Sequence, residues 1–379
     1  MSRIARITGL DRTGIEVATA VRPGGHVLKV TNGKGLRFEE AARGALHEAA
    51  ELWAAERPAL PVLPLATAQE MRSRAEPGTL VISASELGGS EPADGARCAW
   101  RPAAALFRSG PALVPIDAVH CPAGGGPAHP AWCRWTSNGM GAGAARVPAL
   151  LHALLEAVER DQLARALPEG FTRGEVERRL LDPATLASAA PRAAALRLGL
   201  GRRGFGVHLL DLSPSLSPAP ARATRIDRRP APLDLGLPVV AAILVDEEGG
   251  PVPIAAGYAC RLSRDGALVA ALLEAAQSRA TEIHGAREDV AWGDRGAAAP
   301  LAALLSSPRP ARRASALPDL ELAGPSAVGH VLRRLARAGL DRGAVVDLAS
   351  PAPAPGRARR GVHVVKVIVP GLLLSELLC

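Results

Sequence analysis

The chain has 379 residues, 48% of them hydrophobic and 22% charged, which is ample material for a large core and the composition of a globular protein. Its 33 prolines and 39 glycines argue against a helix bundle, and no apolar run is long enough to span a membrane. A formal charge of +8 raises nucleic acid as a partner, but the basic residues are almost all arginines scattered through helices, with no Lys/Arg block and no aromatic platform, so nucleic acid and membrane are both set aside.

In chain order, Ile4 to Val30 alternates in short runs, RIARITGL, EVATAVRP and HVLKV, broken at Asp11-Arg12-Thr13-Gly14 and Pro23-Gly24-Gly25, which predicts a β-rich start. Thr31-Asn32-Gly33-Lys34-Gly35 reads as a glycine-flanked loop where N–H groups and an ammonium can meet a phosphate, although such a stretch is more often an ordinary loop. A helix follows through LHEAAELWAAER, apolar at Leu46, Ala49, Leu52 and Trp53, with Glu48 and Glu51 together on the other side. Pro58 to Pro130 reads as sheet and loops, with strands at Thr79-Leu80-Val81-Ile82 and Ala112-Leu113-Val114-Pro115-Ile116. His120, Cys121, His129 and Cys133 cluster in this region, but their spacing matches no zinc-finger pattern.

The centre of the sequence is Thr136 to Asp161, TSNGMGAGAARVPALLHALLEAVERD, a polar glycine-rich loop running into a second amphipathic helix. Leu150, Leu151, Leu154, Leu155 and Val158 fall on its core side, and Glu156, Glu159 and Arg160 on the other. Arg173 to Arg203 is predicted helical, Gly206 to Leu212 a strand, and 213–232 a Ser/Pro/Arg-rich inserted loop. Leu237 to Val245 and Ile254 to Cys260 flank a DEEGG turn as an antiparallel hairpin. The helix from about Gly266 offers Glu274, Gln277, Ser278 and Arg279, and at its end Arg287, Glu288 and Asp289, which a salt-bridged helix end explains as readily as a site does. A surface linker over 300–325, a helix over Ala327–Gly339 and a closing strand, Gly361–Pro370, complete one α/β (α+β) domain, 1–379, of antiparallel sheets with helices on one face.

An exposed Glu-x-x-Glu-Arg alone is most often a solvated face; the second copy changes its meaning. Four carboxylates from two helices suit a hard cation such as Mg²⁺, and a neighbouring arginine suits nucleotide phosphates. The competing carboxylate-bridged di-iron site wants Glu-x-x-His, and His47 and His152 are both wrongly spaced for it. Five cysteines, Cys98, Cys121, Cys133, Cys260 and Cys379, have no framework spacing and fit a reducing cytoplasm, and the N-terminus carries no signal peptide.

Five ordered motifs, GKGLRFEEAARGALHEAAELWAAER, SNGMGAGAARVPALLHALLEAVERD, LDLGLPVV, EAAQSRATEIHGARED and VVKVIVPG, resemble the YcaO family across nearly the whole chain. The resemblance implies an ATP- and Mg²⁺-dependent enzyme that phosphorylates a backbone amide oxygen of a ribosomally made peptide, giving an azoline, amidine or thioamide. Carried over by position, Glu48, Glu51, Glu156 and Glu159 hold Mg²⁺, and Lys34, Arg160, Arg279, Gln277 and Arg287 face the nucleotide, with Arg160 and Arg279 in the catalytic role. Three departures stand at Gly44, where the family usually has Ser, and at Ala144 and Pro148, where it has Asn and Glu; they leave open a degenerate scaffold without ATPase activity. The chain ends SELLC, with Pro351, Pro353 and Pro355 well inside, instead of the alternating prolines of the azoline-forming branch. That ending and VVKVIVPG lean toward the thioamide-forming branch that works beside a TfuA-type partner. No leader-binding segment is recognisable, so substrate recognition is expected to lie on another polypeptide; a homodimer is compatible with the same pattern.

Overall fold

In the computed structural model, residues 2–57, 63–89, 97–121, 133–168, 170–213, 233–287, 298–306, 309–348 and 361–374 are described. Strands β1 (Arg3–Arg6), β2 (Glu16–Val21) and β3 (Val30–Gly35) form an antiparallel meander that feeds helix α1 (Phe38–Ala55). Next come β4 (Leu63–Ala66), α2 (Ala68–Arg74), β5 (Leu80–Val81), β6 (Cys98–Ala105), β7 (Pro111–Pro115), β8 (Met140–Gly143) and the long helix α3 (Arg146–Ala166). Helices α4 (Arg173–Arg179), α5 (Leu186–Ala189) and α6 (Pro191–Gly201) lead into a second meander, β9 (Phe205–Asp211), β10 (Val239–Asp246) and β11 (Ile254–Cys260), followed by α7 (Arg264–His284). Finally α8 (Ala298–Leu305) and α9 (Gly324–Arg337) precede β12 (Ala344–Leu348) and β13 (His363–Ile368).

Among the described residues the strands make three sheets, β1-β2-β3, β11-β10-β9 and β5-β7-β6-β12-β13-β8 with β4 beside β6; only the β5–β7 pair is parallel. Each sheet ends in an edge strand on which its own helix lies, and in each case a glycine allows it. A Cβ at Gly33 on β3 would stand 2.1 Å from Ala41 O of α1. One at Gly141 on β8 would stand 2.2 Å from Ala149 O of α3, and one at Gly257 on β11 2.2 Å from Ala275 N of α7. The units then interlock in a ring: α1 also touches β8, α3 touches β11, and α7 touches β3. One helix N-terminal half is thus pinned to its own sheet while its C-terminal half reaches the next sheet.

Helix α3 is enclosed. Leu150, Leu154, Leu155 and Val158 pack between Val345, Val365 and Val367 of one sheet and Val239, Ala241 and Ile243 of another. Each such leucine contributes roughly 2 kcal/mol by leaving water. The opposite face of β10, through Val240, Ala242 and Leu244, packs on Leu268, Leu272 and Ala275 of α7.

Several expectations change. The β9–β11 sheet is buried on both faces, not one, as the unbroken apolar run VVAAILV of β10 requires. Thr31 to Gly35 is strand β3, not a loop: β-branched Val30 and Thr31 favour it, and Gly33 is there for the close helix contact. The predicted linker over 300–325 instead carries part of α8 and buries Leu305, Ala314 and Leu317. Arg173–Arg203 is three helices, with Pro183 opening a 3-10 turn ahead of the second and Pro191 opening the third. Residues 214–232, Pro351 to Pro355 and the SELLC ending lie outside the described residues, apart from Ser213 at the first boundary.

Candidate functional site

The C-terminal half of α1, the middle of α3 and the middle of α7 converge where the three units meet, and they bring carboxylates with them. Glu48 accepts the backbone N–H of Asn32 on β3 at 2.9 Å. Glu51 is stabilised by the backbone amide of Ala142 on β8, and Glu159 accepts Cys260 N, at the end of β11, at 3.1 Å. Glu156 lies one turn before Arg160 on α3 and is coupled by charge to Glu51 and Glu159. Glu274 of α7 joins them through Lys34, whose Nζ stands 2.6 Å from it. Charge coupling places the four sequence-predicted acids near one another, with Lys34, Arg160 and Arg287 beside them; Arg287 Nη1 is 3.9 Å from Glu48, and Arg160 Nε is 3.7 Å from Glu159.

The electrostatics show how much negative charge is confined there. Burial raises Glu51 well above the usual carboxylate range, and the charges of Glu156 and Glu48 push it further. Burial lifts Glu156 to about 7 although Arg160 opposes it, and Glu159 is raised in the same way. Glu274 alone is lowered, because Lys34 and Arg160 outweigh its burial. Lys366 of β13 sits under the cluster, 3% exposed, and burial brings its pKa down to about 8 against the pull of Glu156 and Glu51. Its ammonium donates to the carbonyls of Thr136 at 2.5 Å and Asn138 at 2.6 Å, so one lysine ties the loop before β8 to the floor of the cleft.

Arg279 does not join this group. Its Nε donates to Asp11 at 3.0 Å, its Nη2 to Asp246 at 2.8 Å and its Nη1 to Val252 O, and its guanidinium lies over the Phe205 ring. Burial works against the charge of Asp246, but the hydrogen bond from Arg12 and the charge of Arg279 hold its pKa low. The reason is helical phase: Glu274 meets Lys34 of β3, whereas Arg279 points down the α7 flank into the β10–β11 turn. Gln277 is half-buried one turn after Glu274. Glu288, Asp289 and His129 lie outside the described residues; His120 is buried with Nδ1 on Ala55 O at 3.0 Å, away from any cluster of metal ligands among the described residues.

Gly44 has a local cause. A Cβ there would stand 3.3 Å from the Cα of Gly33, so α1 and β3 meet backbone to backbone where the family usually has a serine. Ala144 is exposed just before α3 and Pro148 is exposed in its first turn. Lys366 is the residue whose importance sequence reasoning missed, and Glu274, named there as one that its helix offers, was not assigned to the site. Lys366 had a signal, a lone charge in the apolar run VVKVIV whose two faces are both buried. Glu274 had none beyond sharing the face of Gln277.

The donor set fits a hard divalent ion. It is all carboxylate oxygen, it is anchored to strand amides, and three of its members are driven toward protonation by burial first and by neighbouring carboxylates second, a charge that a cation would offset. Among the described residues no three of these side chains stand together in position to hold a metal ion.

Residues 32–373 match the family model described as YcaO cyclodehydratase, ATP- and Mg²⁺-binding. An uncharacterized protein of Methanothermobacter thermautotrophicus is 29% identical over 384 residues, covering 98% of this chain and 89% of its own. An uncharacterized protein in the tfuA 3' region of Rhizobium leguminosarum bv. trifolii is also 29% identical, over 98% of this chain and 83% of its own. Among solved structures, the fold is similar to a heterocyclase in complex with substrate and cofactor, with a TM-score of 0.73 at 20% identity over 98% of this chain, which spans 50% of that one. It is similar also to YcaO from Methanopyrus kandleri bound with AMPPCP and Mg²⁺, with a TM-score of 0.67 at 22% identity over 98% of this chain and 85% of the other. Because the family match runs from Asn32 on β3 through α1, α3 and α7 to the segment after β13, the chain belongs to the YcaO family of cyclodehydratases and takes ATP and Mg²⁺ as its cofactors.

Proposed function

We propose that this chain activates a backbone amide of a ribosomally made peptide or protein by phosphorylating its oxygen, so that a partner-supplied sulfur or a neighbouring side chain replaces that oxygen as a thioamide or azoline. The observation that carries the reading is the convergence of Glu48, Glu51, Glu156 and Glu159 from two helices beside Lys34, Arg160 and Arg287. Bound ATP and Mg²⁺ supply the phosphoryl group and neutralise its charge. The chain's own residues do the rest. The four glutamates would hold the metal, Arg160 and Lys34 would face the phosphate oxygens, and Lys366 holds the loop at Thr136–Asn138 in place. The relative named for the tfuA 3' region supports a TfuA-like partner.

Two measurements test this. Calorimetry with a non-hydrolysable ATP analogue should show heat only with Mg²⁺ present; absence of heat in both conditions would favour a binding scaffold, the reading that Gly44, Ala144 and Pro148 support. Mass spectrometry of a peptide incubated with the chain, a TfuA-like protein and ATP then distinguishes the products. Loss of one water marks an azoline, and exchange of oxygen for sulfur marks a thioamide.

A further inference from the structure

Strand β9 is an outer edge of its sheet, and only part of that edge is covered. Leu212 N donates to Val239 O at 2.8 Å, so by antiparallel alternation Leu210, His208 and Gly206 bond β10, while Leu209, Val207 and Phe205 turn their backbone groups outward. The outward carbonyl of Leu209 is taken by Leu181 N at 2.8 Å. Before that point, the outward N–H and C=O of Val207 meet no backbone partner among the described residues, and Val207 lines a cavity of about 540 Å³ between β9 and α6.

The chemistry of this cavity is two-sided. Leu181, Leu186, Leu198 and Phe205 give it an apolar wall, with Leu198 55% exposed. Arg197 lines it too, and its Nε is buried without a hydrogen-bond partner among the described residues. Helix α6 carries arginines and no acid, and Arg202 follows it into the same lining. His208 adds no charge, since burial and then Arg197 hold its pKa down at about 4. Glu247 is the acid in the lining, and its carboxylate lies over Gly206.

A small anion would satisfy the guanidinium and leave the strand edge unpaired. An extended peptide satisfies both, because it offers backbone groups at strand spacing and side chains on alternate positions. We infer that the outer edge of β9 binds an extended segment of a second polypeptide by strand addition at Val207, with a carboxylate on Arg197 and an apolar side chain against Leu181, Leu186 and Leu198. On the functional reading above, that segment belongs to the peptide being modified. From two strand spacings across and five residues along, the anchor lies about 20 Å from the Cys260–Glu159 contact, roughly six extended residues away. The peptide is thus held at a distance from the residue that reacts.

The test uses the full chain and a fluorescein-labelled hexapeptide of alternating valine and aspartate, followed by anisotropy. Saturable binding is expected. N-methylation of the peptide at one set of alternate residues should weaken it at least about tenfold and at the other set by no more than about twofold, since only one set faces the edge. Replacing the aspartates by asparagine, or Arg197→Gln in the protein, should each weaken binding about tenfold. No saturable binding, equal effects of the two N-methylated peptides, or unchanged affinity in both the asparagine peptide and R197Q would each overturn the inference. Calorimetric binding of the ATP analogue is measured on the same samples; if it fails while the hexapeptide binds as described, the functional reading falls and the strand-addition site stands.

Discussion

At the residue level, the acids of the cleft are held against their own repulsion, and that has a sign that can be measured. Glu156 titrates near 7 in the folded chain and near 4.5 when unfolded, so the folded state binds its proton more tightly. Stability from this group is therefore fully present below the unfolded value and is lost as pH rises through about 7. The melting temperature without metal should fall across that window, and the fall should shrink in Glu156→Gln. With saturating ATP and Mg²⁺ the trend should reverse, because the ion needs the carboxylate charged. Glu159→Gln keeps an acceptor for Cys260 N and removes a charge: metal-free stability should hold or rise, while Mg²⁺-dependent ATP binding and turnover fall together. Unchanged turnover would remove Glu159 from the metal set. Arg279 behaves oppositely. Arg279→Met leaves buried Asp11 without its guanidinium and Asp246 with that of Arg12 alone, and should cost about 3–5 kcal/mol of stability in denaturant titration. In the folded fraction the ATP affinity should stay the same, and a selective loss of ATP affinity would return Arg279 to the nucleotide.

At the scale of elements, the site depends on how closely three helices lie on three edge strands. Gly33→Ala puts a methyl group into the backbone of α1, where nothing flexible can yield, so α1 must lift and carry Glu48 and Glu51 with it. A cost of roughly 1–3 kcal/mol is expected, together with weakened Mg²⁺-dependent ATP binding. Gly199→Ala on α6 is the control: its Cβ meets nothing within 4 Å, and it should stabilise by up to about 1 kcal/mol without touching ATP binding. Thermal melts of the two variants check both. The sequence made α1, α3, α7 and the β10–β11 hairpin legible because amphipathic spacing and a DEEGG turn are local signals. It misplaced β3, since Gly33, which looks like part of a loop, serves a contact made by residues eight or more positions later.

For the molecule as a whole, the glutamates, Lys34 and the strand amides they use come from all three sheets, so ligand binding should tie the three units together. ATP analogue and Mg²⁺ at about 100 times the dissociation constant should stabilise the fold by about 2.7 kcal/mol. Hydrogen exchange should slow together in β3–α1, β8–α3 and β11–α7, and not in α6 or β9. Protection confined to one unit would show that the carboxylates do not act as one site. Among the described residues no helix is long and apolar enough to cross a membrane.

The sequence by itself carried the resemblance to the family in five ordered motifs, and it placed the two Glu-x-x-Glu helices and their arginine because helical phase puts residues three apart on one face. It also marked Arg287 and Lys34 as candidates. Only the tertiary structure decided that Glu274 and Lys366 belong to the cluster, that Arg279 is consumed by Asp11 and Asp246, and that the edge of β9 is left open. Each of those depends on which residues distant in the chain meet, and a guanidinium or an ammonium has the same local spacing whether its partner is a phosphate or a buried aspartate.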